Sequence, residues 1–334
     1  MGGLVNYRAY SSSPFTAVVI PEGSTFNGDS KGVTFLTLAR TDDNVRRYCV
    51  DRSTHVKLTF DTEQIRAVCF DPNDPNRLFL ATRDQIHSTD GKTTAVIAGN
   101  AKSATWDRLD GVGEEANFSP INEMICSGRE SLLFVLESAY VVREVGVSTR
   151  RVLTRHRTRG LSGMCWDTTH GRPTYTGIYH MVKSIDDDDT RPTAASVVRY
   201  DVESKIITSI VVPAIRVVDS SCMVCTIGGF LIVACEDEGV IYTIDTHSYA
   251  VTRIAGGPGR QDDRRWDGDV LTEATFCGPS SVALIEADEV LVVTEPHAGR
   301  VRSVPLPPHL LKTRPLPEPV EQRYVPLLSS NDTY

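Results

Sequence analysis

The chain has 334 residues, 40% of them hydrophobic and 23% charged, with a formal charge of −8. That length and apolar share fit two ordinary domains or one large all-β domain with a sizeable core, and they exclude a disordered polymer. The negative charge argues against a general attraction to nucleic-acid phosphate, and no apolar run approaches the roughly 20 residues of a bilayer-spanning helix.

The first stretch, MGGLVNYRAYSSSPF, lacks the apolar centre of a secretory signal, and Asn6 stands where a myristoylation motif after Gly2 wants Ser or Thr. Arg8, three serines and the lack of any acid before Glu22 leave a mitochondrial address open beside a cytoplasmic one. Short runs rich in Val, Ile and Thr then follow, with turn residues between them and little helical period. Each unit opens on an apolar strand such as RAVCFD, NEMICS or SSVALIE. A more apolar second strand comes next, as in RLFLAT, LLFVLE, FLIVAC and EVLVVTE. Third strands include YVVREVGV, VIYTID and GRVRSV, and fourth strands include TTAVIAG, KIITSIVV and AVTRIAG.

Two of the connecting stretches repeat one another. IAGNAKSATWDRLDGVGEEANFSP (97–120) and IAGGPGRQDDRRWDGDVLTEATFCGP (254–279) share Ala-Gly, Asp-Gly, Glu-Ala, a Phe and a Pro in the same order. Their Ala-Gly marks lie 157 residues apart. That interval holds three units of about 52 residues, so the chain divides into six. The units are 12–60, 65–98, 107–155, 160–213, 216–256 and 267–306. Four short antiparallel strands repeated six times predict an all-β fold, a six-bladed β-propeller of four-stranded blades over residues 1–306. The last unit has three strands, so Leu4–Tyr10 is predicted to close the ring as its fourth. Phe118 and Phe276 are predicted to plug the gaps between blades, with Pro120 and Pro279 starting the inner strands and Asp-Gly making a turn. Residues 307–334 carry six prolines and are expected to run extended, as a strap or as an arm for a partner.

Eight cysteines (Cys49, Cys69, Cys126, Cys165, Cys222, Cys225, Cys235, Cys277) mostly close short apolar runs. That placement suits buried, reduced thiols in a cytosol-like compartment. Cys222 and Cys225 form a lone C-x-x-C, but SSCMVCTIGG reads as a strand, with no helix start to activate a thiol.

The order V-x-x-I-A-G, D-G, F-x-P or F-x-x-P, apolar strand, V-R-x-V resembles the NHL-repeat family of six-bladed propellers, clearly in 107–155 and 267–306 and weakly elsewhere. The acid that family repeats carry after the second strand stands here as Glu137, Glu236 and Glu295, and is missing from the other units. The resemblance implies a platform for protein or RNA. It also brings in relatives that are lyases and sister propellers that are calcium-dependent lactonases or esterases.

Chemistry is sparse in the local sequence. The eight histidines show no H-x-H or H-x-x-x-H spacing, so a metal site would need ligands from several blades. Asp186 to Asp189 lack the alternation and glycine of a calcium loop and read as a solvated loop. No G-x-S-x-G and no phosphate loop occurs, so no catalytic residue, cofactor site or metal ligand is assigned. The basic residues comprise 28 Arg and 7 Lys, and STRRVLTRHRTRG concentrates five arginines without an acid. Arg155, Arg157, Arg159, Arg260, Arg264 and Arg265, with Trp106 and Trp266, are expected on one face of the ring. That face would meet an acidic protein surface unless neighbouring aspartates neutralise it. The expected function is a non-catalytic scaffold in a larger assembly. The alternatives are a propeller hydrolase or lyase with an axial metal site, or an RNA-binding propeller.

Overall fold

The computed structural model describes residues 5–8, 14–19, 21, 24–27, 34–39, 45–49, 52–56, 65–100, 109–128, 131–138, 141–157, 161–169, 177–182, 195–212, 222–236, 238–257, 273–295, 298 and 300–314. Strand β1 (Val5–Arg8) begins the chain but belongs to the last sheet. The first sheet is β2 (Pro14–Val19), β3 (Thr34–Ala39), β4 (Val45–Cys49) and β5 (Arg52–Val56). The second is β6 (Ala67–Asp71), β7 (Asp74–Ala81), β8 (Ile86–Thr89) and β9 (Thr94–Ala98). The third is β10 (Gly111–Val112), β11 (Ile121–Cys126), β12 (Leu132–Glu137), β13 (Val141–Gly146) and β14 (Arg151–Arg157). The fourth is β15 (Leu161–Trp166), β16 (Gly177–Val182), β17 (Ala195–Asp201) and β18 (Ile207–Val212). The fifth is β19 (Cys222–Cys225), β20 (Phe230–Cys235), β21 (Val240–Asp245) and β22 (Val251–Ala255). The sixth is β23 (Ser281–Ile285), β24 (Val290–Glu295) and β25 (Arg300–Pro305), completed by β1.

All pairing is antiparallel, and the first strands touch in a cycle: β2, β6, β11, β15, β19, β23 and back to β2. The chain is therefore an all-β propeller. The reading of six equal four-stranded blades needs one correction. Five sheets have four strands, and the third has five because β10, from the linker before it, pairs with the outer strand β14. In the sixth sheet Val5 to Arg8 lie opposite Ser303 to Arg300, so the N-terminus supplies the outer strand.

The strand sequences follow from radial position. Second strands such as β20 (FLIVAC) lie between strands of their own sheet and the faces of both neighbours, so they are buried throughout and lack a polar alternation. Fourth strands such as β22 (VTRIA) sit at the rim and carry exposed residues. Apolar clusters fill each described gap. Phe118 lies among second- and third-blade residues and Phe276 among fifth- and sixth-blade residues, 6% and 8% exposed.

The repeated linkers are tied down by a buried ion pair in each copy. Glu137 accepts the Ser119 N–H, and Arg143 bonds to Glu137 at 2.9 Å and to the carbonyls of Asn117 and Leu109. In the second copy Glu295 accepts the Cys277 N–H, and Arg302 donates to the Thr275 carbonyl at 2.6 Å and pairs with Glu295 at 3.6 Å. The guanidiniums of Arg143 and Arg302 also lie over the rings of Phe118 and Phe276. Gly99 and Gly256 take left-handed backbone at the shared Ala-Gly, where a Cβ would run into the Asp84 and Gly239 carbonyls. The Asp-Gly turn does not form at Asp110-Gly111. Gly111 starts β10, and the Asp110 carboxylate accepts the Thr154 N–H and hydroxyl while pairing with Arg143 at 3.1 Å. Asp267 lies outside the described residues.

Beyond β25, Pro308–Leu311 forms a 3₁₀ turn with Leu310 buried. Arg314 lies over Phe230 and pairs with Asp245 at 2.9 Å, fastening this segment to the fifth blade. Among the described residues no helix is long and apolar enough to cross a membrane.

Candidate functional site

An inner strand has its own blade on one side and the neighbouring blades on two others, so the surface left on it faces the propeller axis. The partly accessible side chains there are Glu123 and Ile125 on β11, Cys222 and Val224 on β19, and Leu284 on β23. Strands β11 and β19 belong to the third and fifth blades, with β15 between them. Their side chains meet only across the axis.

They do meet. The Cys222 Sγ lies 4.0 Å from the Glu123 Oε1 and 3.9 Å from the Ser281 Oγ of the sixth blade. A bulge positions the carboxyl. Between Ser162 and Met164 the β15–β16 register shifts, with Gly163 in left-handed backbone at φ 70°. The Met164 N–H is thereby freed from the ladder and donates to Glu123. Three side chains from three blades thus gather at the axis beside the apolar Ile125, Val224 and Leu284.

Electrostatics follow from this enclosure. Burial raises the Glu123 carboxyl to about 8, opposed only by the Met164 N–H, so it is largely neutral near pH 7. Burial, and then the nearby Glu123, push the Cys222 thiol up to about 12. Cys222 therefore stays a thiol near neutrality, and within this cluster Glu123 is the group able to exchange a proton there. Calcium takes six to eight oxygen ligands, usually with several carboxylates, and one neutral carboxyl beside a thiol and apolar walls does not fit it. Among the described residues no three His, Cys, Asp or Glu side chains gather as a metal set.

The arginine face is described only in part. Arg155 is bidentate to Glu144, at 2.8 and 2.6 Å, which neutralises it within the fold. Arg157 is exposed and acts on the nearby Asp110 carboxylate. Arg159, Arg260, Arg264, Arg265, Trp106, Trp266 and the acids Asp186 to Asp189 lie outside the described residues. The described cysteines are free thiols, and Cys222 and Cys225 sit on one strand as expected.

Glu123 escaped the sequence reading. Its signal is an acid inside NEMIC, a strand whose neighbours are apolar. Cys222 and Ser281 carried no such mark, because their relation to Glu123 exists only through the closed ring.

No protein family matches the chain's sequence, and no curated protein does. Solved structures match its fold. A gluconolactonase of Xanthomonas campestris aligns at 11% identity and a TM-score of 0.62, covering 91% of this chain and 89% of that one. A luciferin-regenerating enzyme aligns at 12% and 0.57, covering 90% and 95%. An auxiliary nutrient binding protein of Bacteroides ovatus aligns at 12% and 0.60, covering 88% and 69%. At such identities the likeness establishes the β-propeller fold alone. The expectation of a non-catalytic scaffold is corrected on its premise: the lack of a local catalytic motif does not mark a propeller as non-catalytic, since propellers named as enzymes are among the chain's structural neighbours. A ring of blades can gather side chains from several of them at its axis, as Glu123, Cys222 and Ser281 do here, so a missing local motif does not argue against catalysis.

Proposed function

We propose that the chain is a propeller enzyme of the hydrolase or lyase type, with Glu123 as the general acid of an axial site. The carrying observation is the convergence of Glu123, Cys222 and Ser281 from three blades on one point of the axis. In ester hydrolysis water adds to the carbonyl carbon, the C–O bond breaks, and the neutral carboxyl gives its proton to the departing oxygen and regains one from the attacking water. In elimination it protonates the departing oxygen and is restored by the proton that leaves the neighbouring carbon. The apolar side chains of Ile125, Val224 and Leu284 favour an uncharged substrate. Ser281 and Cys222 orient the carboxyl rather than attack. We also read 107–155 and 267–306 as NHL-type units, on the shared linker and V-R-x-V pattern.

The test is turnover of neutral lactones and aryl esters across pH. The wild type should turn over a member of this panel, with a rate that falls as pH rises through about 8, when the acid loses its proton. Glu123→Gln should lose that activity while keeping its fold. Activity unchanged in Glu123→Gln, or no turnover by the wild type, overturns the proposal.

A further inference from the structure

One polar side chain beside the axial acid is left unused by the proton chemistry. Asn122, the neighbour of Glu123 on β11, is exposed although it lies on an innermost strand between the buried Ile121 and Met124. In a regular strand Ile121 and Met124, three residues apart, would leave opposite faces of the sheet. Here both pack, with Cys126, in the apolar cluster between the second and third blades. The alternation breaks between them. Ile121 lies opposite Glu137 and Glu123 opposite Leu136, so Asn122 is the extra residue of a bulge, without a register partner on β12.

Two consecutive side chains are thereby turned to the same side of β11. Since Ile121 and Met124 share one face, Asn122 and Glu123 share the other, the side on which Ile125 packs toward the fourth blade. From that side Glu123 reaches Cys222 across the axis. Asn122 therefore stands beside the acid, one residue nearer the start of β11, with its amide open to a ligand.

We propose that Asn122 is the oxyanion donor of the axial site, its side-chain N–H holding the carbonyl oxygen of a carboxylic ester or lactone while Glu123 serves the departing oxygen. The inference rests on the reading of Glu123 as the general acid. When water adds to the carbonyl carbon, negative charge builds on the carbonyl oxygen, and the carboxyl that protonates the departing oxygen cannot also hold that charge. An amide donates without titrating, and beside apolar walls its hydrogen bond is stronger than in water. Collapse of the adduct returns the electron pair to the carbonyl and breaks the C–O bond. The Glu123 proton goes to the departing oxygen, and the proton lost by the attacking water restores the carboxyl. A substrate without a carbonyl next to its scissile C–O bond, such as an ether, gives Asn122 nothing to hold.

The test compares the full chain with Asn122→Ala, Asn122→Asp and Glu123→Gln on the lactone or aryl ester that the wild type turns over. Loss of an oxyanion donor should lower kcat of Asn122→Ala by about 10²–10³-fold with little change in KM. Its rate should still fall as pH rises through about 8, because Glu123 remains. Asn122→Asp keeps the shape that a merely structural role would need but offers no donor, so it should be at least as slow. A kcat close to wild type in either Asn122 variant overturns the donor, even where Glu123→Gln is inactive and the acid stands. An active Glu123→Gln, or an inactive wild type, removes the acid, and the donor falls with it. A non-hydrolysed lactam of the same ring added to the wild type is decisive even if a variant misfolds. It should shift the Asn122 side-chain amide resonances, and resonances that stay unmoved overturn the donor.

Discussion

Replacing Glu123 by glutamine separates the burial of a carboxyl from the burial of a charge. Glutamine keeps an oxygen for the Met164 N–H and nearly the same volume, but cannot ionise. In the fold the carboxyl rises from an ordinary 4.5 to about 8. At about 1.4 kcal/mol per unit, ionising it there costs on the order of 5 kcal/mol more than in the unfolded chain. Because the folded value is raised, the carboxyl's contribution to stability is fully present below 4.5 and is lost as pH rises through about 8. Urea unfolding followed by tryptophan fluorescence, from about pH 4 to about pH 9, reads this directly. The stability of the wild type relative to Glu123→Gln should decline by that order of magnitude across the window and level off above it. Parallel curves for the two proteins would show that the carboxyl is hydrated, and the axial enclosure argued above would be wrong.

Other perturbations address the scaffold. Phe118→Ala and Phe276→Ala each open a gap between blades and should cost about 3–5 kcal/mol in urea unfolding; a loss under about 1 kcal/mol would mean the rings do not plug those gaps. Arg143→Met leaves Glu137 buried without its cation and should cost about 3–5 kcal/mol, whereas Arg143→Met with Glu137→Met should recover most of that loss. Full additivity of the two changes would dismiss the pair. Deleting residues 1–10 removes β1 and bares the β25 edge, and should lower the melting temperature and promote association in light scattering; an unchanged melt and a monodisperse solution would dismiss closure by β1.

The blade pattern was legible because radial position dictates composition. Buried second strands must be apolar throughout, and FLIVAC and LLFVLE announce themselves. The linker repeat was legible as well, and Phe118 and Phe276 were placed by it. Its chemistry was not. Glu137 with Arg143 and Glu295 with Arg302 are visible as acids and arginines at similar spacing, but only the fold shows that each pair closes on a linker carbonyl. Asp110-Gly111 was misread as a turn because the same dipeptide can start an edge strand, and the partner that makes it one, β14, lies some 40 residues on. The axial cluster joins residues 123, 222 and 281, and no local pattern connects three blades. The scaffold reading failed for the same reason.

Pairing of β1 with β25 has a consequence for synthesis on the ribosome. Arg8 finds its partner at Arg300, so the first strand waits for almost the whole chain to be made. At the usual 5–20 residues per second that wait is roughly 15–60 s. Throughout it the sixth blade does not exist, and the facing surfaces of the first and fifth blades have no neighbour to cover them. A nascent propeller of this kind spends most of its birth as an open arc, and whatever shields that arc governs how many rings are completed.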